Sequence, residues 1–397
     1  MAQARTFCIA GAGIAGLTLA LALAKQANSK TKTKIILLER NDEITEFGAG
    51  LQLGPNAHRA LDSLGLEEEL HKVSFEPEGV DIFSYKQKKP IVTLKLGATA
   101  REKFGVPYSV IHRADLVHTL YNKVKKSKLI DVYFGVLDFK ITNANKNPIV
   151  NFKCKDGNEI EINTHAFIGA DGVCSVTRTG VLDGPLSKYS GYVAWRTLID
   201  IEKLKNVIDL NNTSLMWGTG FHAVAYPLPH RNKVNIAIFT RETMSVGFGI
   251  RQTPSLPNSA KSDPRLSKIL ELADGWKHWP LAAVSTSTWH KGSVGLVGDA
   301  AHAMLPFQAQ GAAMGIEDAV ILAPLLMNEE SPATAFEKYE NKRQARVNKV
   351  IKTSATNGKI FHMSAPLSNA RNAVVKMQGE MNHYSRLGWI YDYDPLV

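Results

Sequence analysis

The chain is poor in cysteine. Cys8, Cys154 and Cys174 are the three cysteines among 397 residues, and they form no CxxC pair and have no histidine at zinc-ligand spacing. This pattern offers no support for a disulfide framework or a structural metal site. We therefore expect a reduced, cytoplasmic protein that binds no metal and is stabilised by a packed core.

Long apolar runs are also scarce. The run Phe7–Ala24 approaches the length of a membrane span, but it contains three glycines and continues into a polar segment without a clear cleavage site. We interpret it as part of the fold and not as a signal peptide or an anchor. No other run approaches this length, which predicts a protein without a transmembrane segment.

Concentrated charge is the third feature that the sequence lacks. The formal net charge is +10, but the lysines are spread along the chain and no basic cluster is interleaved with aromatic residues. This argues against nucleic-acid binding and favours anionic small molecules or an anionic membrane surface. The 44% apolar content is typical of a globular protein, and the length predicts two or three structural units.

The N-terminal residues have the pattern of a dinucleotide-binding unit. A strand is predicted over Thr6–Ala10 and a helix over Leu17–Ala27, with Gly11, Gly13 and Gly16 of GAGIAG between them. In such units the glycines allow a tight turn, a close approach of the backbone to a pyrophosphate, and close packing of helix on strand. The motif therefore predicts a dinucleotide site.

A second apolar strand, Ile35–Leu38, follows and ends at Glu39. A carboxylate at this strand tip can accept hydrogen bonds from both hydroxyls of a ribose. The next glycine-rich stretch, GAGLQLGPNA, has no predicted strand before Gly48. We therefore expect it to be a loop that lies against the same ligand, where Gln52 either faces that ligand or hydrogen-bonds the loop.

The segment Gly292–Ala319 combines a strand, a carboxylate and a helix start. An apolar strand over Val294–Val297 stops at Asp299, and after Pro306 an apolar helix is predicted over Ala312–Met327. A carboxylate accepts hydroxyl donors, and a helix N-terminus favours negative charge. Together they suit a ligand with a polyol and an electron-rich ring, although an ordinary turn before a core helix has the same pattern.

Two further segments carry charged residues next to predicted helix starts. Ala166–Arg178 repeats the order of strand, carboxylate, glycine and helix, with Asp171 at the strand tip. Arg113 and Asp115 directly precede a helix predicted over Leu116–Lys125. Arg113 either pairs with a phosphate or is a surface charge with Asp115 as a helix cap, and the residues alone leave both alternatives open.

Short strands dominate the middle of the chain. Between Tyr192 and Thr240 they follow one another closely, which predicts a mostly antiparallel sheet. Residues Val80–Leu96 also alternate as strands and are expected outside the nucleotide-binding unit. After Ser331 the chain is basic and is predicted to be helical.

The motifs together resemble those of one enzyme family. GxGxxG followed by a glutamate, GADGxxSxxR, and GDAAHxxxPFxxQGAAMxIEDA occur in the order found in group A flavoprotein monooxygenases, the p-hydroxybenzoate and salicylate hydroxylase family. The resemblance covers nearly the whole chain. EFGAGLQLGPNA, IHRADL and WIYDYD are most similar to the salicylate, 3-hydroxybenzoate and 6-hydroxynicotinate hydroxylases. Gln52 departs from the histidine that we associate with the 6-hydroxynicotinate enzymes.

The resemblance implies an α/β fold with a Rossmann-type FAD-binding domain like that of p-hydroxybenzoate hydroxylase. A mostly antiparallel β-sheet substrate domain and a C-terminal helical region complete the expected architecture. The predicted boundaries are 1–75, 101–184 and 280–345 for the FAD-binding domain, 76–100 and 185–279 for the substrate domain, and 346–397 for the helical tail.

The resemblance also implies roles for individual residues. The GAGIAG glycines hold the FAD pyrophosphate, Glu39 binds the adenosine ribose and Arg113 reaches the FAD from the side. Asp299 binds the ribityl chain, and Asp171 serves a turn near the pyrophosphate and the path of the nicotinamide cofactor. The full set of implied FAD-binding residues is Gly11, Gly13, Ala15, Gly16, Glu39, Arg40, Gln52, Arg113, Asp171, Gly298, Asp299, Gly311, Ala312 and Ala313.

The implied chemistry has two stages. NAD(P)H reduces the flavin, and O₂ then forms a C4a-hydroperoxide that hydroxylates an electron-rich aromatic ring. The positive end of a helix starting near Gly311 would stabilise the anionic reduced flavin by roughly 1 kcal/mol, and Pro306 would stiffen the loop facing it. NAD(P)H is expected as a transient co-substrate because the sequence shows no second nucleotide-binding fold. The sequence is compatible with a homodimer.

The substrate should contact the sheet domain. His222 and Tyr226 are four residues apart on a predicted strand, so both face one side and are candidates for activating a phenol, although either can instead be structural. Arg196 or Arg231 could bind a carboxylate. Three large side chains could wall the pocket or belong to the core: Trp195, Met216 and Phe239.

The predicted function is therefore FAD-dependent hydroxylation of a small phenolic or aromatic acid. Two alternatives stay open at this stage. A hydroxylase of a ubiquinone-precursor ring would share the motifs and suit a basic surface near a membrane. A flavin-binding sensor or partner subunit without turnover would share the cofactor site alone.

Overall fold

The structure is a computed structural model that describes residues 5–27, 32–44, 50–155, 157–242 and 256–397. The strands within these residues are β1 Arg5–Ala10, β2 Thr33–Leu38, β3 Gly50–Leu53, β4 Ser74–Phe75, β5 Gly79–Phe83, β6 Val92–Lys95, β7 Ser109–His112, β8 Ile130–Tyr133, β9 Asp138–Thr142, β10 Ile149–Lys153, β11 Glu159–Asn163, β12 Ala166–Gly169, β13 Lys188–Asp200, β14 Thr213–Gly218, β15 Phe221–Leu228, β16 Lys233–Arg241, β17 Lys277–Ala283, β18 His290–Lys291 and β19 Val294–Leu296. The helices are α1 Ile14–Gln26, α2 Pro55–Ser63, α3 Glu67–Val73, α4 Gly97–Phe104, α5 Arg113–Val124, α6 Val176–Gly180, α7 Ile201–Leu204, α8 Asn258–Lys261, α9 Pro264–Leu272, α10 Asp299–His302, α11 Gly311–Asn328, α12 Pro332–Phe361 and α13 Leu367–Tyr391.

A six-stranded sheet forms the nucleotide-binding half of the protein. Its order is β18-β19-β12-β1-β2-β8, and β1 pairs in parallel with both β2 and β12. The central strands are apolar along their length because a parallel sheet is covered on both faces. Helix α1 connects β1 to β2 and packs against α11. The predicted β-α-β unit is confirmed.

A seven-stranded sheet forms the second half, in the order β17-β13-β16-β15-β14-β5-β6. All its pairs are antiparallel except that of β14 with β5, so the predicted mostly antiparallel sheet is confirmed. One face lines a cavity and the other packs against α8 and α9. Of the two alternatives left open for these side chains, Trp195 and Met216 lie in the core on the second face, whereas Phe239 lines the cavity.

The stretch GAGLQLG is not only a loop. Gly50–Leu53 forms β3, which pairs antiparallel with β7, and Gly48 lies outside the described residues. The prediction of a loop is wrong for this part because a four-residue strand acquires its hydrogen bonds from a distant partner. Local sequence, with its glycines, carries no signal for that pairing.

The segment Gly292–Ala319 contains one more helix than expected. A short helix, α10, starts at Asp299, and α11 begins at Gly311 as the longer core helix. From the sequence we expected no apolar run of membrane-spanning length besides Phe7–Ala24, but α11 is long and apolar enough to cross a membrane. Of this 18-residue segment, 72% is buried inside the protein. Core helices of soluble proteins have the same composition, and α11 packs between α1 and α12.

The C-terminal helical region is confirmed. The boundary predicted at residue 346 falls inside the continuous helix α12. Val347 and Val350 of this helix belong to the main core, and Tyr391 at the end of α13 packs against Phe104 and Tyr108. The division into three domains stays a prediction.

Candidate active site

A large cavity lies between the two sheets. Its volume is about 1210 Å³, which exceeds the roughly 300–1,000 Å³ of a typical small-molecule site and leaves room for a dinucleotide beside a second ligand. Most of the residues predicted to form the site line it. They are Gly11, Gly13, Ala15, Glu39, Arg40, Gln52, Arg113, Asp171, His222, Tyr226, Gly298, Asp299, Pro306, Gly311 and Ala312.

Two predicted site residues, Gly16 and Ala313, do not line this cavity. A Cβ atom on Gly16 would lie 1.9 Å from the carbonyl oxygen of Gly11, so this glycine permits close packing of α1 on the first turn. Ala313 is fully buried in the core. Both positions support the cavity wall from behind.

The first two glycines of GAGIAG meet different requirements. Gly11 has φ +103°, and a Cβ there would lie 2.4 Å from the carbonyl oxygen of Ala170, so a side chain is excluded. A Cβ on Gly13 would meet nothing within 4 Å, and Gly13 caps α1 without a side-chain hydrogen bond. The first turn of α1 therefore has open space and free N–H donors at the cavity, an arrangement that suits a phosphate.

The Glu39 carboxylate is fixed at the tip of β2. Its Oε2 accepts a hydrogen bond from the Ala12 N–H at 2.9 Å, and its Oε1 accepts one from the Asn41 N–H at 2.9 Å. Each carboxylate oxygen can accept a further hydrogen bond. Glu39 is thus oriented by the backbone and retains acceptors for hydroxyls of a ligand in the cavity.

The two carboxylate oxygens of Asp171 differ in their hydrogen bonding. Its Oδ2 accepts hydrogen bonds from the N–H of Thr177 at 2.9 Å and from the Thr177 hydroxyl at 3.0 Å. Its Oδ1 is buried and has no partner among the residues that the structure describes. A buried oxygen of this kind calls for a hydrogen-bond donor from a ligand or a water molecule.

Asp299 is the first residue of α10, is exposed, and faces the cavity. The turn before it is held by Asp318, whose Oδ2 accepts from the Gly298 N–H at 2.9 Å and lies 2.6 Å from His302 Nε2. Although burial alone would raise the pKa of Asp318, His302 and Arg343 beside it hold this pKa well below its usual range. The Asp318 carboxylate is therefore charged and anchors the turn.

Four charged side chains that sequence reasoning left without a role connect α11, α12 and the end of α13. Arg343 contacts Glu317 at 2.5 Å and Asp318 at 2.8 Å, and all three side chains are fully buried. Arg346 contacts Glu317 at 2.8 Å and donates to the carbonyl of Ile390 at 3.0 Å. Two adjacent acids inside an otherwise apolar helix were the signal that could have identified this network.

The loop before α11 is held from α12. The Ser354 hydroxyl donates to the Leu305 carbonyl at 2.6 Å, and Asn357 Nδ2 donates to the Phe307 carbonyl at 3.1 Å. The loop carries Pro306 to the cavity surface. A Cβ on Gly311 would meet nothing within 4 Å, so the start of α11 is open to the cavity as predicted.

Arg113 is the first residue of α5 and lines the cavity. The helix is capped by His112, whose Nδ1 accepts from the Ala114 N–H at 3.2 Å. Asp115 instead forms a two-pronged ion pair with Arg231 at 2.7 and 2.8 Å. The alternative in which Asp115 caps the helix and Arg113 is a surface charge is therefore wrong.

His222 lies in an aromatic enclosure at the other end of the cavity. Its Nδ1 is 2.8 Å from Nε2 of His362, and its ring stacks on Phe239 at 4.6 Å between centroids. Phe307 and Phe361 present their faces or edges to the same ring at 4.9 and 5.2 Å. Burial, with a smaller contribution from His362, lowers the pKa of His222 well below its ordinary value.

Tyr226 projects from the same face of β15 as His222. Burial raises the pKa of its hydroxyl, and the neighbouring Arg196 opposes this effect in part. Tyr226 is thus a neutral phenol that can donate a hydrogen bond, whereas the neutral imidazole of His222 can accept one.

The C-terminal helices provide cavity walls that sequence reasoning missed. Phe361, Leu387, Trp389 and Tyr391 line the cavity, and His362 reaches His222 from 140 positions away. The repeated aromatic residues near the end of the chain were the available signal. Nothing in the local sequence indicated which surface they would cover.

The geometry fits FAD: open glycine turns at two helix starts, an oriented carboxylate at a strand tip, and a second carboxylate facing the middle of one cavity. Comparison with known proteins agrees with it. Residues 5–354 match the family model described as an FAD binding domain. The 3-hydroxybenzoate 6-hydroxylase 1 of Aquipseudomonas alcaligenes is 32% identical, with 96% of each chain covered.

Two further proteins match almost the whole chain. The 3-hydroxybenzoate 6-hydroxylase of Klebsiella oxytoca is 30% identical, covering 99% of this chain and 98% of the relative. The crystal structure of Klebsiella pneumoniae HpxO complexed with FAD and uric acid matches with a TM-score of 0.81 at 21% identity, covering 99% of this chain and 98% of that one, which shows the shared fold. The chain therefore belongs to the FAD binding domain family and is an FAD-dependent aromatic monooxygenase.

Proposed function

We propose that this enzyme hydroxylates the ring of a small phenolic acid, a hydroxybenzoate, at the expense of NAD(P)H and O₂. The observation that supports this most is that two different kinds of binding features line one cavity. Residues at the strand ends of the six-stranded sheet supply nucleotide-binding features, and an aromatic enclosure with a neutral imidazole and a phenol hydroxyl lies at the seven-stranded sheet in the same cavity. The relatives named as 3-hydroxybenzoate 6-hydroxylases favour the same substrate class.

The residues that would hold FAD follow from the cavity. The first turn of α1 would bind the pyrophosphate, Glu39 the adenosine ribose, Asp299 the ribityl hydroxyls, and the start of α11 the pyrimidine edge. When bound, FAD supplies the electron transfer from NAD(P)H and the activation of O₂. The protein contributes binding, orientation and exclusion of water, and it needs no resident site for NAD(P)H, which visits transiently.

His222 would activate the substrate by accepting a hydrogen bond from its hydroxyl group. In the tautomer in which Nδ1 of His222 donates to Nε2 of His362, Nε2 of His222 is the acceptor left for a ligand; it makes no hydrogen bond to another described residue. A hydrogen bond that polarises the O–H group makes the positions ortho and para to it more electron-rich. Burial keeps the imidazole neutral, so His222 can accept a hydrogen bond from the hydroxyl group and orient it in the cavity.

The aromatic walls would keep water from the reacting ring. Phe239, Phe307 and Phe361 surround His222, and Pro306 adds a rigid apolar surface on the loop before α11. A dry enclosure strengthens the hydrogen bond to His222. It also limits side reactions in which water consumes the activated oxygen before it reaches the substrate.

The proposal is tested with FAD-reconstituted enzyme, NADH or NADPH, and a set of hydroxybenzoates under ¹⁸O₂. We expect one or more phenolic acids to stimulate oxidation of the nicotinamide and to gain one ¹⁸O atom. Oxidation that yields only hydrogen peroxide, or bound flavin without any response to phenols, would contradict it. Activity that requires lipid would instead favour a ubiquinone-precursor ring. The cytoplasmic location and the homodimer stay predictions.

A further inference from the structure

We propose that Arg196 and Asn235 bind the carboxylate of the aromatic substrate and make this enzyme prefer acids to neutral phenols. This inference rests on the proposed function, because it assumes that an aromatic acid occupies the cavity. It assigns the acid group to two side chains outside the nucleotide-binding end.

Arg196 is a cavity-facing cation without a counterion among the described residues. It projects from β13 into the cavity, and its buried Nε has no hydrogen-bond partner among the described residues. Its guanidinium lies 5.8 Å from the centroid of Trp279, and no carboxylate of the described chain pairs with it. A buried guanidinium remains charged, so an unpaired one carries a desolvation cost that an anionic ligand removes.

Asn235 supplies a second unsatisfied donor on the neighbouring strand. It is 1% exposed, and its Oδ1 accepts from the Gly50 N–H at 2.7 Å. This bond fixes the orientation of the amide, so the group left buried without a partner among the described residues is the Nδ2 donor. Asn235 also lines the cavity.

The sheet register brings both donors to one face beside the aromatic enclosure. Arg196 pairs with Ala237 of β16, while Asn235 pairs with Tyr226 of β15 and His222 pairs with Phe239. Successive cavity-facing rows are two residues, or about 7 Å, apart along a strand. On β16, the residue opposite Arg196 (Ala237) is two positions from the residue opposite His222 (Phe239). One aromatic ring with a hydroxyl and a carboxylate can bridge this spacing.

The chemistry of these groups favours a carboxylate over other anions of the same size. A guanidinium matches the two oxygens of a carboxylate with parallel hydrogen bonds, and the Asn235 amide and the Tyr226 hydroxyl are neutral donors beside it. Among the residues that the structure describes, no acidic side chain on β13, β15 or β16 lines the cavity. The site is therefore rich in donors, positively charged and partly dry.

Arg231, the other arginine that the sequence left as a candidate, is a matched control. It is engaged by Asp115 in a two-pronged ion pair at 2.7 and 2.8 Å and does not line the cavity. Arg231→Gln removes the same charge from the same domain without touching the proposed subsite.

The experiment compares Arg196→Gln, Asn235→Asp and Arg231→Gln as FAD-loaded enzymes. The Kd of 3-hydroxybenzoate and of its uncharged analogue 3-hydroxybenzamide is measured from the change in flavin absorbance without NADH, and KM and kcat are measured with NADH. FAD occupancy and thermal unfolding are recorded for each protein. Asn235→Asp keeps an acceptor for the Gly50 N–H, replaces the Nδ2 donor with a carboxylate oxygen and adds a negative charge.

We expect Arg196→Gln to raise the Kd and KM of the acid by about 10- to 100-fold, as loss of a charge-assisted hydrogen-bond pair predicts. The amide should change less than about threefold, and kcat should change little because the acid group binds equally in ground and transition states. Asn235→Asp should weaken the acid and spare the amide, and Arg231→Gln should match the wild type.

Four outcomes would overturn the inference. Equal weakening of acid and amide would show a general structural effect, and loss of FAD with unchanged acid affinity would place Arg196 at the cofactor. A wild-type enzyme that hydroxylates the amide as well as the acid would refute the subsite and leave the proposed hydroxylation standing. A wild type that hydroxylates neither would refute both.

Discussion

At the scale of single residues, Asp299 is a carboxylate that the fold presents without using it. It is exposed to the cavity, and its side chain makes no hydrogen bond to another described residue. The backbone around it is instead held by Asp318. A residue that contributes nothing to the protein's own packing can be changed to test ligand binding alone.

We predict that Asp299→Ala weakens FAD binding about 10- to 100-fold, which corresponds to loss of a hydrogen bond to a charged group worth about 1.5–3 kcal/mol. The melting temperature of the FAD-free protein should stay unchanged. FAD affinity is measured by flavin fluorescence quenching, with the exposed Asp274→Ala as a control. A variant that retains its yellow colour at low FAD would show that the ribityl chain lies elsewhere.

The His222–His362 pair leads to a second prediction at this scale. If His222 activates the phenol, His222→Asn should lower kcat by about 10²- to 10⁴-fold at pH 7. His362→Asn should have a smaller effect, because His362 only holds the ring of His222 through their hydrogen bond at 2.8 Å. Bound FAD should be unaffected in both variants.

The pH dependence separates activation from packing. A substrate phenol ionises by itself near pH 10, so the deficit of His222→Asn should shrink steadily as pH rises towards that value. The measurement is kcat from pH 6.5 to 9.5 for wild type and variant. A deficit of the same size at every pH would mean that His222 is a structural residue of the aromatic enclosure.

At the scale of elements, α11 depends on a buried ionic network. Glu317 and Asp318 on α11 face Arg343 on α12, and all three side chains are fully buried. Such networks stabilise little in sum, yet removal of one partner leaves buried charges uncompensated. Because Asp318 also accepts from the Gly298 N–H, the network connects helix packing to the turn that presents Asp299.

We predict that Arg343→Met destabilises the protein by about 3–5 kcal/mol although the side-chain volume is nearly kept. The neighbouring exposed Lys342→Met should change the free energy of unfolding by less than about 0.5 kcal/mol. Urea denaturation of both variants measures the difference, and saturating FAD should recover part of it by binding the folded state. Equal stabilities would mean that the network contributes nothing.

At the scale of the whole molecule, several histidines are buried in neutral form. Burial lowers the pKa of His58 and of His165 to about 4 and that of His362 to about 3, and it lowers the pKa of His222 well below its ordinary value. In the unfolded chain each of them takes up a proton near pH 6.5. The unfolded state therefore binds more protons than the folded state between these values.

Stability should consequently fall as pH decreases from about 6.5 towards 4, with each histidine contributing a slope of up to about 1.4 kcal/mol per pH unit. Above pH 7 these groups should have no effect. Urea midpoints measured from pH 5 to 8 test this. If the His58→Gln variant folds, its free energy of unfolding should fall less steeply with decreasing pH, by the contribution of one histidine. A midpoint that is constant from pH 7.5 to 5 would contradict the prediction.

Elements that are encoded within a short stretch were predictable. The GAGIAG turn and Glu39 belong to one β-α-β unit, where conformational limits on glycine and the period of apolar residues act locally. The alternation of β15 likewise put His222 and Tyr226 on one face, as the structure has them. Gln52, for which the sequence left two roles open, lines the cavity, and its segment is a strand where a loop was expected.

Features that need two distant segments were not predictable. Trp195 was left open between the pocket wall and the core, and the register between β13 and β16 places it in the core and Arg196 at the cavity. His362 meets His222 across 140 residues, and Arg231 is removed from the cavity by Asp115 across 116 residues. Sequence alone left both arginines as equal candidates.

The sequence by itself determined the backbone turns, the strand and helix pattern and the family, because each depends on steric limits and periodicity within a few residues. Only the tertiary structure decided which buried donors and acceptors remain without a protein partner. That outcome depends on which faces meet when the two sheets and the C-terminal helices pack together. The fold therefore decides that Arg196, Asn235 and Asp171 each line the cavity with a buried polar atom that has no partner among the described residues.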